Sequence, residues 1–166
     1  SGRNYVERVV QKAIKNDISI YAAHTNVDNM YNGVNKKIAD KLGLINTSIL
    51  SQRTDTISKL YTYAPVEAAA KVREAMFAAG GGNIGKYTEC SYNSTGKGTF
   101  KPHSNANPAI GEPGGDREIV DEVKIEMIVE KHAQAAVIRA LFDAHPYEEI
   151  AYELIQLPNP NQEIGA

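Results

Sequence analysis

Apolar positions recur at helical spacing almost from the start of the chain, at Tyr5, Val6, Val9, Val10, Ala13 and Ile14. They predict an amphipathic helix. The run Ile18 to Ala23 (ISIYAA) is short and largely apolar, as in a strand buried on both faces of a parallel sheet. His24 to Asn32 is polar and predicts a turn. Val34, Ile38 and Leu42 then stand at i, i+4 and i+8, and Gly43 supplies a helix stop. The expectation is a partial α-β-α segment over residues 1–55. A core that small is marginal alone, because small units bury too little of their surface. Leu44 to Thr56 carries several Ser and Thr residues and reads as a connection, with the boundary at Asp55.

The pattern then becomes richer. Ile57 to Tyr63 is strand-like, with Tyr61 and Tyr63 on one side and Leu60 on the other. Pro65 opens a helix, where its missing N–H costs nothing. That helix is expected to reach Ala79, with Ala69, Val72, Met76 and Ala79 as its buried stripe, and Gly80-Gly81-Gly82 ends it. Lys86 to Tyr92 and Gly98 to Lys101 read as strands joined by a tight turn at Gly96. Between Ile119 and Val129, Val123, Ile125, Met127 and Val129 alternate with Glu122, Lys124 and Glu126, which predicts a strand with one buried and one wet face. Ala133, Val137, Ala140, Leu141 and Ala144 mark a second helix, Pro146 stops it, and Glu149 to Leu157 is the last strand.

The expected order over residues 56–158 is β-α-β-β-α-β with a small extra strand, a ferredoxin-like α/β (α+β) fold. Residues 159–166 form a polar tail. Two helices would cover one face of a mainly antiparallel sheet. Tyr61, Tyr63, Tyr87 and Tyr152 make the other face partly apolar; it is either a subunit contact or a solvated face. No internal repeat of fixed period is present.

Composition narrows the class. The 166 residues allow one domain, or one and a piece of another. Hydrophobic residues at 42% and charged residues at 23% fit an ordinary soluble globular protein. The net charge of −2 and the scattered Lys and Arg give no expectation of nucleic-acid binding. No apolar run approaches the roughly 18 residues of a membrane span, and Ser1 to Val10 lacks a signal-peptide pattern. Cys90 is the one cysteine, so no intrachain disulfide forms. It lies in an expected strand with no nearby His and reads as a buried small hydrophobe. These features favour a cytoplasmic location. Ser1-Gly2 resembles a cloning remnant, and the chain reads as cut from a longer protein at both ends.

Three stretches carry candidate chemistry. His24-Thr25-Asn26-Val27-Asp28 follows the first expected strand, where open parallel sheets bind ligands. Asp28 is the better candidate for a divalent metal and His24 the weaker one. Equally, Asn and Asp there serve turn formation and helix capping, and neither residue holds a metal without further ligands. Gly98 to Gly115 (GTFKPHSNANPAIGEPGG) includes a long loop in which Lys101 and His103 are placed to meet an anion. No helix start follows it, so it is not a phosphate-binding loop of the P-loop kind. The alternative is a structural loop pinned by Pro102, Pro108 and Pro113. His145-Pro146-Tyr147-Glu148-Glu149 stands at a helix-to-strand junction. His145 either completes the helix C-terminus or joins Glu148 in a surface ligand site.

Together these stretches resemble a known family. Ala22 to Leu44 (AAHTNVDNMYNGVNKKIADKLGL) resembles the dinuclear-metal motif of the NGG-interacting-factor-three family, whose members are often named GTP cyclohydrolase 1 type 2 homologues. GTFKP, NPAIGEPGG, EIVDEVKIEMIV and HPYEEIAYELIQL resemble the domain inserted in its longer bacterial members, similar in fold to the CutA and PII proteins. The resemblance implies a parent metal-dependent hydrolase of cyclohydrolase kind, two related α/β halves around a two-metal centre of zinc, iron or manganese, and a toroidal homo-hexamer. It also implies a regulatory or assembly role for the insert, trimeric in its own right; a purely structural or ligand-sensing domain is the alternative. Of the family's ligands, Asp28 alone has a match, with His24 beside it. The paired-histidine and His-x-x-x-Glu motifs have none, and His132 and His145 do not replace them. The expectation is that this chain alone holds no catalytic metal tightly.

Overall fold

Asn4 sets the first helix. Its backbone is extended, and its side chain accepts from the Glu7 N–H at 2.9 Å, which takes up one of the donors that a helix start leaves open. The computed structural model describes residues 3–160, 164 and 165. In it, α1 spans Tyr5–Lys15, the single-turn α2 spans Thr25–Asp28 and α3 spans Val34–Lys41. Tyr5, Val6, Val9, Val10 and Ile14 remain exposed, and Ala13 alone is buried in α1.

The expected strand at Ile18 to Ala23 does not form. These residues run without regular structure, and the Ile18 N–H donates back to the Ala13 carbonyl at 2.9 Å. A strand needs a neighbour for its N–H and C=O groups, and none of the described residues pairs with this segment. The first part is therefore three helices, not α-β-α. The turn expected from His24 to Asn32 contains α2.

The remaining elements are β1 (Ile57–Pro65), α4 (Val66–Ala78), β2 (Tyr92–Phe100), β3 (Glu118–Glu130), α5 (Gln134–Ala144) and β4 (Tyr152–Leu157). The four strands form one sheet in the order β2-β3-β1-β4, with every neighbouring pair antiparallel. The class is mixed α+β, and the expected order β-α-β-β-α-β is present. Alternation along β1 sorts its side chains. Leu60 and Ala64 are buried on one face, while Tyr61 and Tyr63 stand half-buried on the other. Leu60 lies opposite Met127 of β3 and Leu154 of β4. Ala69, Val72 and Met76 of α4 and Val137 and Leu141 of α5 close over them to make the core. Pro65, expected to open the helix, ends β1 and stands at the N-cap of α4, immediately before Val66. Gly80 follows the helix with φ +99°, a conformation that a side chain disfavours.

Two expectations for the sheet are corrected. Gly96 does not make a turn, and Lys86 to Tyr92 is not a strand. One continuous strand runs from Tyr92 to Phe100 with Gly96 at its centre, paired with β3 from Tyr92↔Glu126 to Phe100↔Glu118. Glycine reads locally as punctuation, but the long β3 offers backbone partners along its full outer side, and that tertiary pairing prevails. Cys90 accordingly lies in the preceding loop, half-buried, with its N–H on the Gly82 carbonyl at 2.8 Å. The tyrosines also divide. Tyr61 and Tyr63 lie on the face away from the helices. Tyr152 packs edge-on against Phe142 of α5, at 5.7 Å between centroids, and Tyr87 is in the loop.

The chain separates into two compact units, Ser1–Gln52 with Gln162–Ala166, and Arg53–Asn161.

Candidate functional site

Alternation places Gly96, Gly98 and Phe100 of β2 on the same sheet face as Glu122 and Lys124 of β3, with Gly96 directly opposite Glu122. The glycines matter here because they add nothing above the strand. A Cβ at Gly98 would collide with the Glu122 carboxylate, whereas one at Gly96 would meet open space. The chain after β2 returns to this region as a loop anchored through one carbonyl. His103 O accepts from the N–H groups of Ala106 and Gly114, both at 3.1 Å. The Asn107 N–H then donates to Glu148 Oε1 at 2.8 Å, fastening the loop to the segment after α5.

That segment is set by His145, which is 8% exposed. Its N–H completes α5 on the Leu141 carbonyl at 3.0 Å. Its Nε2 lies 2.9 Å from the Tyr63 carbonyl, and its Nδ1 accepts from the Tyr147 N–H at 3.1 Å. The neutral ring with its proton on Nε2 meets both requirements. Burial pushes the imidazole below its ordinary range, against the opposing pull of the Tyr63 carbonyl and Glu122. Tyr147 stacks edge-on against both His145 and Phe100 and donates its hydroxyl to Glu122 Oε1 at 2.9 Å. Burial, then the bond to Glu122, pushes its phenol far above the usual value.

These parts enclose a cleft of ≈ 640 Å³, within the range of small-molecule sites. Its walls include Tyr63, Phe100, Pro108, Ile110 and Tyr147, with Glu122 among them. Glu122 is 9% exposed and forms no ion pair among the described residues. The nearby Lys124 is engaged elsewhere: its ammonium lies 3.1 Å from Glu126 Oε1 and 4.3 Å from the Tyr61 ring centroid. It holds the Glu126 carboxyl below the usual range.

Lys101, His103 and Glu148 all line this cleft. His145 stands behind its wall, through Tyr63 and Tyr147. His24 and Asp28 lie in the other unit, both exposed, at the two ends of the four-residue α2. The His24 N–H donates to Asn26 Oδ1 at 2.9 Å, the turn chemistry considered for this motif. Among the described residues no three His, Cys, Asp or Glu side chains group as a metal would require, so Asp28 and His24 do not by themselves make a coordination set. Glu122 and Gly96 carry no functional signal in the sequence, and Tyr147, although within the stretch His145 to Glu149, is not singled out there. Glu122 reads there as one of several wet-face charges, and only the register with Gly96 exposes its different setting.

A model of the family described as Duf34/NIF3 (NGG1p interacting factor 3) matches residues 1–146. The chain belongs to the Duf34/NIF3 family. Curated relatives agree with the assignment. The chain is 45% identical over 159 residues to a GTP cyclohydrolase 1 type 2 homolog of Halalkalibacterium halodurans, covering 95% of this chain and 42% of that protein. Identity to the homolog of Bacillus subtilis is 43%, again with 95% and 42% covered. A crystal structure of a Bacillus cereus protein related to NIF3 matches with a TM-score of 0.75 at 42% identity, covering 99% of this chain and 43% of that one. The chain thus spans less than half the length of these Duf34/NIF3 relatives. No helix among its described residues is long and apolar enough to cross a membrane.

Proposed function

We propose that the second unit is a ferredoxin-like regulatory module that binds a small ligand, and that the chain is part of a larger dinuclear metal protein. The cleft supports the module reading. Two segments 41 residues apart in sequence, joined by Asn107 and Glu148, close one volume with a buried carboxylate in its wall. The test is a fragment mixture added to isotope-labelled protein. Amide shifts confined to residues 94–110, 122 and 145–149 are expected; silence there across the mixture favours the structural alternative.

The relatives' name, GTP cyclohydrolase 1 type 2 homolog, and the motif around Asp28 support a parent hydrolase. Such an enzyme activates water between two divalent ions of zinc, iron or manganese. Asp28 would supply one ligand and His24 would lie beside it. One carboxylate does not clamp two ions, so elemental analysis of this chain is expected to find no stoichiometric metal. Stoichiometric metal that vanishes in Asp28→Ala would contradict this.

The module would also join subunits, as a trimer within a parent hexamer. Tyr92 and Ile155, exposed on the sheet face away from the helices, suit such a contact. Light scattering at micromolar concentration checks it, and a clean monomer counts against the trimer. A single cysteine accords with a reducing, cytoplasmic location.

A further inference from the structure

The setting of Glu122 says what the cleft selects. A carboxylate removed from water is costly unless charge or hydrogen bonds compensate it. Among the described residues Glu122 has one such partner, the Tyr147 hydroxyl on Oε1, and no ion pair. The lysines nearest it along the strands are committed, Lys124 to Glu126 at 3.1 Å and Lys97 to Asp121 at 2.7 Å. The space beside it is shaped for a flat body. Gly96 leaves the strand bare where a Cβ would meet nothing within 4 Å, and the rings of Phe100 and Tyr147 meet edge-on at 5.9 Å to form one wall. Pro108 and Ile110 supply apolar surface from the loop.

We infer that the cleft takes a small planar ring compound bearing an amidine-type edge, whose paired N–H donors meet the Glu122 carboxylate while the ring lies over Gly96. Such an edge matches a carboxylate with two parallel hydrogen bonds, the arrangement that makes guanidinium–carboxylate pairs strong and directional. It brings positive charge to Glu122 itself, which forms no ion pair among the described residues although Lys101 and His103 also line the cleft. Tyr147 acts as a positioning residue, holding Oε1 and leaving the carboxylate oriented. The inference rests on reading the cleft as a ligand site.

Titration calorimetry of the whole chain with benzamidine, and with benzoate as the ring of opposite charge, tests it. Benzamidine is expected to bind and benzoate not to. Glu122→Gln keeps the shape of the wall and is expected to weaken benzamidine at least about tenfold, the loss of one charge-assisted bond. Gly96→Leu projects into open space, so the fold is retained while binding is lost. Benzoate binding as well as benzamidine, or unchanged affinity in Glu122→Gln, overturns the amidine inference. If benzamidine fails but fragments still shift the amides of residues 94–110, the amidine inference falls and the ligand site stands. If neither benzamidine nor any fragment acts there, both fall. Should Glu122→Gln not fold, the benzamidine and benzoate pair and Gly96→Leu still decide.

Discussion

Leu60→Ala is expected to destabilise the protein by about 3 kcal/mol, within the usual cost of emptying a well-packed leucine site. Leu60 is 1% exposed and sits mid-sheet, between Met127 on β3 and Leu154 on β4. Its side chain enters the layer closed by Val72, Met76, Val137 and Leu141. The loss combines the transfer of the removed atoms with a cavity that strands and helices, held from three sides, collapse into poorly. A shift of this size corresponds to a fall in Tm on the order of 10 °C or more for a domain near 100 residues. Urea unfolding is the measurement. The midpoint should drop with the slope unchanged, since the surface exposed on unfolding is nearly the same. A loss under about 1 kcal/mol would show that Leu60 is not the centre of the core.

His145→Ala should cost a similar amount, about 3 kcal/mol, and should also change how stability depends on pH. The substitution strands two groups, the Tyr63 carbonyl and the Tyr147 N–H, and an unpaired buried polar group costs about 1–3 kcal/mol. The folded imidazole titrates below its ordinary 6.5 because burial disfavours its charged form. As pH falls below about 6.5 the unfolded chain takes up a proton at this position that the folded chain does not. The contribution is therefore fully present above that pH and is lost as pH falls through the window down to the depressed folded value. Stability curves of the wild type and His145→Ala should converge as pH falls below about 6.5. A gap that stays constant, or widens in acid, would contradict the assignment of a buried neutral ring. The same proton would land on Nδ1, where the Tyr147 N–H now donates, so acid should loosen the cleft wall before the core.

Local pattern was a good guide wherever one face of an element carried the signal by itself. The alternation of Val123, Ile125, Met127 and Val129 marked β3, and the spacing of Ala69, Val72 and Met76 marked α4, because burial on one side is all that either pattern needs. It misled where the outcome depended on a partner. ISIYAA has the composition of a strand, yet no described segment pairs with it. Gly96 has the local character of a turn, yet β3 holds it straight.

The candidate site divides in the same way. Lys101, His103 and Glu148 were legible as residues of unusual loops, since prolines, glycines and a helix stop surround them. That they face one cleft was not, because 41 residues separate Asn107 from Glu148 and no periodicity links them. Glu122 was hidden more thoroughly. On the strand it is one wet-face charge among three, and its burial arises only when Gly96 and Gly98 lie alongside and Tyr147 arrives from beyond α5.

The sequence by itself determined the element order β-α-β-β-α-β, the buried stripes and the family motifs, because each is written in spacing within a few turns of chain. Tertiary structure alone decided that β2 is one strand, that Ile18 to Ala23 is none, and that a carboxylate stands inside a cleft. Each of these depends on backbone partners and burial supplied from far along the chain, and hydrogen bonds and desolvation act through space without regard to sequence distance.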